Sequence, residues 1–369
     1  MVVGHVVAVH VGRMVGRDRQ ESRLVSPPPA GIDHERLERW LAANVAGCRP
    51  PLMFTALVGG RSNLTFRVDD SAGHAYVLRR PPLGQVLATA HDMGREHRII
   101  SALGATAVPV PAALGYCDDP AVNGAPFYVM DFVDGHVLWD VAGAEAALTI
   151  EARRAAAESM VEVLTAIHAV DPDAVGLGEL SRKEGYIERQ LKRWYRQFLS
   201  AKTREIPLVD EVHAVLLAGI PEQGPATVVH GDYKLENCIL DDNGRVVGVL
   251  DWELCTLGDP LADLGILSVY WPDPGEPGTS HSSPALAEGF PRRAELLERY
   301  AQVSGRDLSH MDYYAAFGHW KLACVADGVY TRYAGGSMGQ DGADLDFLKR
   351  RPLVMAERAA EAAARITRA

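Results

Sequence analysis

The sequence predicts an α+β chain of two lobes, β-rich in its first third and mainly helical in the remainder. Three observations carry this. Short β-branched and aromatic runs crowd the region before residue 134: Phe54-Thr55-Ala56-Leu57-Val58, Leu64-Thr65-Phe66-Arg67-Val68, Ala75-Tyr76-Val77-Leu78-Arg79 and residues 126–133. Segments with helical periodicity follow, at residues 144–170, 186–200, 292–303, 313–333 and 353–367. At 369 residues, the chain is long enough to build a core in each lobe, with a cleft expected between them.

The elements are expected in this order. Residues 1–31 read as a flexible N-terminal extension: residues 2–12 are apolar but too short to span a membrane, and Arg13, Arg17, Arg19 and Pro27-Pro28-Pro29 follow. Residues 32–133 form the first lobe. Asp33 is placed to cap a helix carrying Leu37, Trp40, Leu41 and Val45 on one side. The first two strands flank Gly59-Gly60-Arg61-Ser62-Asn63, which reads as a hairpin turn. After the third strand comes a helix over residues 91–103, with Ile99, Ile100 and Leu103 inward. Residues 134–369 form the helical lobe, interrupted by short strands only around residues 226–251. The run at residues 273–284, rich in Pro, Gly and Ser, is a loop.

Composition narrows the function. The net charge is 37 − 48 = −11, which argues against nucleic acid or an anionic membrane as partners. The five cysteines are dispersed, with no C-x-x-C pair and no zinc spacing, so buried thiols and a reducing cytoplasm are expected. No G-x-G-x-x-G follows a strand, which speaks against a dinucleotide enzyme. No Ser-His-Asp set accompanies Ser62.

Residues 228–251, VVHGDYKLENCILDDNGRVVGVLD, carry the chemistry. Phosphoryl transfer asks a protein to position a hydroxyl and neutralise phosphate charge. Asp232 can orient the hydroxyl and take its proton late. Lys234 can reach the transferring group. Asn237 can give Mg²⁺ a neutral oxygen, and Asp251 can bridge the metal ions. The turn Asp241-Asp242-Asn243-Gly244 folds the two apolar runs into a hairpin that brings Asn237 and Asp251 together. Asp241 and Asp242 are turn formers, not ligands.

HGDYKLEN resembles the catalytic loop of the protein-kinase-like superfamily, and VLDWELCTLGDPLADLG resembles the metal-binding strand of the aminoglycoside phosphotransferase family. With VLRRPP and REHRII, these motifs are most similar to a branch that includes kinase-like domains fused to acyl-CoA dehydrogenases. The resemblance runs from about residue 32 to the C-terminus. It implies a two-lobed protein-kinase-like fold, ATP and Mg²⁺ as cofactors and a small-molecule hydroxyl acceptor. Asp232 would be the base, Asn237 and Asp251 the magnesium ligands, and Lys234 a γ-phosphate contact. His230 would shape the loop. Asp259 and Asp263 would brace it.

A kinase-like first lobe needs a phosphate turn, a cation on the third strand and a carboxylate on the next helix. Gly60, Arg61, Ser62 and Asn63 are expected to supply the turn. Arg79 stands where most kinases have Lys; it can grip phosphate with two donors, or be an exposed strand-end charge. Arg80 should face the other way. Glu96 is the candidate partner of Arg79. Adenine is expected against residues 130–133, read by backbone groups of Asp131 and Val133.

On the acceptor side, residues 186–200 carry an apolar stripe (Ile187, Leu191, Trp194, Phe198) and a basic one (Arg189, Arg193, Arg196). The basic stripe is either a solvated face or a wall for an anionic substrate. The resemblance implies a hydroxyacyl-CoA or related anionic metabolite. The alternatives are an aminoglycoside O-phosphotransferase and a nucleotide-binding pseudokinase module. Tyr313-Tyr314 could line the acceptor pocket, while His168, Trp320, Tyr330 and Tyr333 read as structural.

Overall fold

The computed structural model describes residues 29–57, 63–83, 92–276, 283–335 and 344–366. They divide into two compact units. The first runs through Gly104 and adds Pro111–His136; the second holds Ala105–Val110 and the chain from Val137 onward.

In the first unit, α1 (His34–Asn44) starts where the Asp33 carboxylate accepts the Arg36 N–H at 3.2 Å. Five strands follow: β1 (Met53–Ala56), β2 (Leu64–Asp69), β3 (Ala75–Arg80), β4 (Ala113–Cys117) and β5 (Phe127–Asp131). They form one antiparallel sheet of order β1-β2-β3-β5-β4. Between β3 and β4 lies α2 (Met93–Leu103), capped by Asp92, and the short α3 (Pro120–Asn123) precedes β5. Leu37 and Leu41 of α1 bury against Phe66, Leu78 and Phe127, with Trp40 edge-on to Phe127 at 4.9 Å. The strand period sends Arg79 and Arg80 to opposite faces. Arg80 is buried and donates to the carbonyls of Asn123 (3.0 Å) and Gly31. Gly31 therefore belongs to the ordered unit; residues 1–28 of the expected extension lie outside the described residues.

The second unit begins with α4 (Val141–Ala147), α5 (Ile150–Ala169), α6 (Tyr186–Ala201) and α7 (Pro207–Ala218). The periodic segment at 144–170 is thus two helices: Thr149 Oγ1 accepts the Ala152 N–H at 3.2 Å and starts a new one. Strands β6 (Thr227–Val229), β7 (Cys238–Leu240), β8 (Val246–Val249) and β9 (Thr256–Gly258) make two small antiparallel sheets, β6 with β9 and β7 with β8. The chain continues with α8 (Pro260–Tyr270), α9 (Arg293–Ser304), α10 (Met311–Ala334) and α11 (Leu345–Ile366). The last helix starts well before the expected residue 353 and runs through Pro352, which its packing tolerates. The α+β reading of a β-sheet followed by a mainly helical part holds.

Two features of this unit position the site. Helices α6, α7, α10 and α11 share a core that includes Leu191, Phe198, Val209, Phe317 and Trp320. Helix α8 crosses α10 at backbone distance. A Cβ on Gly265 would sit 2.4 Å from the Tyr314 carbonyl oxygen, and one on Gly318 would sit 2.9 Å from that of Gly265. Only glycines allow that approach.

Candidate active site

The loop leaving β6 is held by its backbone. His230 and Gly231 donate their N–H groups to the two oxygens of the Asp263 carboxylate, at 2.6 and 2.7 Å. Asp263 is fully buried on α8. Burial works to raise its carboxyl. Hydrogen bonding and charge from His168, with His230 and the Gly231 amide, outweigh that and hold it below the usual carboxylate range. His168 is a core bridge, 3.4 Å from Asp263 and 2.7 Å from the Tyr300 hydroxyl. Gly231 has φ +87°, and a Cβ there would lie 2.8 Å from the Leu254 carbonyl oxygen.

His230 accepts the Asp232 N–H at Nδ1 (3.2 Å) and faces the Leu250 carbonyl with Nε2 (2.9 Å). The tautomer protonated at Nε2 satisfies both bonds. His230 is therefore a loop-shaping residue, as expected. Tyr233 is buried and pegs the loop to α5 by donating to the Met160 carbonyl at 2.9 Å.

Asp232, Lys234 and Asn237 come together further along the loop, Asp232 and Lys234 half-buried and Asn237 buried. Lys234 Nζ is 2.7 Å from Asp232 Oδ2. Asn237 donates Nδ2 to the Asp232 carbonyl (2.8 Å) and to Oδ2 (3.2 Å). With its amide nitrogen turned to Asp232, Asn237 keeps its oxygen for another partner. Burial disfavours the Lys234 ammonium, but the Tyr270 hydroxyl and the Asp232 and Glu236 carboxylates outweigh this and raise its pKa. Its Nζ lies 4.6 Å from the centre of the Tyr270 ring.

The hairpin forms where the sequence puts it. β7 pairs with β8 as Cys238↔Val249, and the Leu250 N–H donates to the Asn237 carbonyl at 2.8 Å. Asp251 thus follows directly on a residue bonded to Asn237. Asp251 has φ 65°, and among the described residues it is the one non-glycine with positive φ. The neighbouring cysteines are buried; burial pushes the Cys238 thiol up to about 12, so it is no nucleophile at neutral pH.

In the first unit, Arg79 and Glu96 also meet. Arg79 Nε is 3.1 Å from Glu96 Oε2, and Glu96 is buried. Glu96 accepts from Asn63 Nδ2 at 3.1 Å and from the Tyr128 hydroxyl at 3.0 Å. Sequence reading missed Tyr128; its side chain pairs with the Arg79 position across β3 and β5, a register the sequence alone does not print. Gly60, Arg61 and Ser62 lie outside the described residues. The Asp131 N–H is donated to the Ala112 carbonyl at 2.9 Å, so that amide is already used.

Three expectations need correction. Asp259 does not touch the catalytic loop: it caps α8 through the Leu261 N–H (3.0 Å) and takes the Tyr314 hydroxyl at 2.5 Å. The bracing falls to Asp263. Tyr313 and Tyr314 are core residues, Tyr313 bonded to the Leu216 carbonyl at 2.9 Å. In the basic stripe of α6, Arg193 and Arg196 are exposed but Arg189 is half-buried and donates to the Arg182 carbonyl at 2.5 Å. Lys321, on α10, was also missed. It is fully buried and donates to the Gly231 carbonyl at 2.7 Å.

With this geometry in hand, residues 54–314 match the model of the phosphotransferase enzyme family. The chain belongs to that family. Its enzymes are kinase-like phosphotransferases. Acyl-CoA dehydrogenase family member 11 of Rattus norvegicus is 34% identical over 333 residues, covering 87% of this chain and 42% of that protein. Acyl-CoA dehydrogenase family member 10 of Mus musculus is 34% identical over 307 residues, covering 82% of this chain and 28% of that protein. The chain thus spans less than half the length of these relatives. A solved structure from Ralstonia eutropha, described as a "putative aminoglycoside phosphotransferase", superposes with TM-score 0.77 at 34% identity, covering 90% of this chain and 98% of that one. An aminoglycoside phosphotransferase in ternary complex with AMP-PNP and hygromycin B shares the fold, with TM-score 0.58 at 17% identity, covering 89% of this chain and 97% of that one. Among the described residues, no helix is long and apolar enough to cross a membrane.

Proposed function

We propose that the chain transfers the γ-phosphate of ATP to a hydroxyl of a small anionic metabolite, in a Mg²⁺-dependent reaction with Asp232 as base. The observation that carries this reading is the convergence of Lys234 and Asn237 on the Asp232 carboxylate, at 2.7 and 3.2 Å. Asp232 orients the acceptor hydroxyl and takes its proton as the new P–O bond forms. Lys234 balances negative charge on the transferring phosphoryl group. Asn237 and Asp251 would hold Mg²⁺. The donor set fits: a neutral amide oxygen and a carboxylate, both hard, at one end of a hairpin. Among the described residues, no group of three or more His, Cys, Asp or Glu side chains forms a metal site by itself, so nucleotide oxygens would complete the shell. When bound, the ion would neutralise phosphate charge. The positive φ of Asp251 is the kind of backbone cost kept where a side chain must point in one direction.

Residues 32–133 are assigned to nucleotide binding and 134–369 to catalysis and acceptor binding. Arg79, oriented by Glu96, would grip phosphate oxygens, with Gly60, Arg61, Ser62 and Asn63 as the covering turn. The carbonyl of Asp131 and backbone of Val133 would read adenine. A hydroxyacyl-CoA is the acceptor class favoured here. Its support is the similarity to acyl-CoA dehydrogenase family members and the exposed cations Arg193 and Arg196 of α6. Polycationic aminoglycosides would be repelled by them.

Asp232→Asn tests the reading. Transfer should fall by about 100-fold or more while nucleotide affinity stays within a few-fold. Full activity in the variant refutes the assignment. Nucleotide binding without turnover of any acceptor by the wild type would point to a pseudokinase.

A further inference from the structure

Lys321 has no place in the chemistry above, yet it is bonded to the loop that carries it. The peptide unit joining Gly231 to Asp232 is gripped at both ends. Its N–H donates to His230 Nδ1 at 3.2 Å, and its carbonyl accepts from Lys321 Nζ at 2.7 Å. The preceding peptide is held by Asp263 through the Gly231 N–H. Lys321 reaches this carbonyl from the middle of α10, among the buried residues Phe317, Gly318, Trp320, Leu322 and Ala323. Its Nζ also lies 5.3 Å from the centre of the Trp194 ring on α6. Among the described residues, the Gly231 carbonyl is its one hydrogen-bond acceptor.

An ammonium is an expensive way to satisfy one carbonyl. The α8–α10 crossing at Gly265 and Gly318 brings this helix close, and an apolar residue would pack at position 321 at lower cost. The charge itself must therefore matter. We infer that Lys321 is a positioning residue for phosphoryl transfer: its ammonium fixes the Gly231–Asp232 peptide and so sets the direction in which Asp232 presents its carboxylate. The inference rests on the reading of Asp232 as the base.

The same placement makes the clamp sensitive to alkali. Burial pushes the Lys321 ammonium down to about 8. Asp232 of the loop and Asp263 of α8 support its charge, and Arg193 of α6 and Lys234 of the loop oppose it. The group is charged below that value and neutral above it. The clamp should weaken as pH rises through about 8.

The test uses Lys321→Met and Lys321→Arg in the full chain, with water as acceptor, so that MgATP-dependent phosphate release is the rate measured. Lys321→Met should lower turnover about 100-fold, the scale of a 1 Å misplacement, with MgATP affinity unchanged. Lys321→Arg should recover most of that loss. It should also abolish the decline of rate above pH 8, because guanidinium stays charged. Hydrogen exchange read on peptides covering residues 228–236 gives an activity-independent arm. Exchange there should rise about tenfold or more in Lys321→Met, with α5 and α7 unchanged as the control for folding. Unaltered exchange and turnover within twofold in Lys321→Met would overturn the inference, even with Asp232→Asn inactive. Faster loop exchange in Lys321→Met, beside a wild type that turns over no ATP with any acceptor, would support the clamp and sink the phosphotransfer reading instead.

Discussion

Asp263→Asn removes the anchor of the catalytic loop while changing almost nothing in volume. The wild-type carboxylate uses both oxygens, one for the His230 N–H at 2.6 Å and one for the Gly231 N–H at 2.7 Å. An asparagine offers one oxygen and one NH₂ group. One loop N–H then faces another donor and stays unsatisfied, at a cost of about 1–3 kcal/mol. The bond that survives changes from charge-assisted to neutral, which costs about 1 kcal/mol more. The 3.4 Å contact to His168 also favours the carboxylate, and its weakening in the variant falls within the spread of these two costs. The expected loss is therefore about 2–4 kcal/mol. Urea unfolding followed by tryptophan fluorescence measures it in the right place: Trp139, Trp194, Trp252, Trp271 and Trp320 all belong to the second unit, and only Trp40 to the first. The midpoint should fall by about 1–2 M with the slope unchanged. The pH dependence has a definite sign. Because the folded carboxyl lies below its ordinary value, its stabilisation is present above about pH 4 and is lost as pH falls below that. The variant should lack this acid-sensitive component. A midpoint within about 0.2 M of wild type at pH 7 would refute the anchoring role.

Two further outcomes follow from single contacts. Gly231→Ala puts a Cβ 2.8 Å from the Leu254 carbonyl oxygen at φ +87°, so the loop must move; the conformation alone costs about 1–2 kcal/mol. Turnover should fall sharply with nucleotide affinity retained, and a wild-type rate would contradict the geometry. In the first unit, burial pushes the Asp70 carboxyl up, but amide bonds from His74, Arg49 and Ala72 hold it at about 2. Its contribution is full above about pH 4 and lost only as pH falls through about 2, so the melting-temperature gap between wild type and Asp70→Asn should be wide at pH 6 and shrink to roughly a third by pH 2.5. A gap undiminished at pH 2.5 would show that the carboxylate charge is not what holds this turn.

The parts of the fold legible in the sequence were those written in local patterns. The first-unit strands alternate or carry β-branched residues, α1 begins at its expected cap Asp33, α2 falls within the expected 91–103, and the turn at 241–244 has Gly244 at φ +82°. The Asp232, Lys234, Asn237 cluster was legible because its members sit within six residues of each other. What stayed hidden depends on register and on helix crossings. Helix α7 carries no polar face to mark its period, and α8 was masked by its own acidic motif. Thr149 broke a periodic run that looked continuous. Tyr128 reaches Glu96 only because β5 pairs with β3 in one register. Asp259 and Asp263 look equivalent in LGDPLADL; which one faces the loop depends on where the helix cap falls, and the cap is Asp259.

The loop itself explains why its supports had to be remote. The backbone groups of residues 230–232 that point inward are all committed: the His230 and Gly231 amides to Asp263, the Gly231 carbonyl to Lys321, the Asp232 amide to His230. Only the last of these is local. Two of the three residues that hold the loop lie on α8 and α10, and both approach because Gly265 and Gly318 let those helices touch backbone to backbone. An eight-residue motif can specify which atoms take part in phosphoryl transfer. It cannot by itself fix a peptide plane to a few tenths of an ångström, since a free loop of that length would lose its order to backbone entropy at about 1–2 kcal/mol per residue. One buried charge of each sign, presented by two rigid helices, supplies that constraint. The reaction is thus encoded locally, and its geometry by a helix crossing that the motif does not contain.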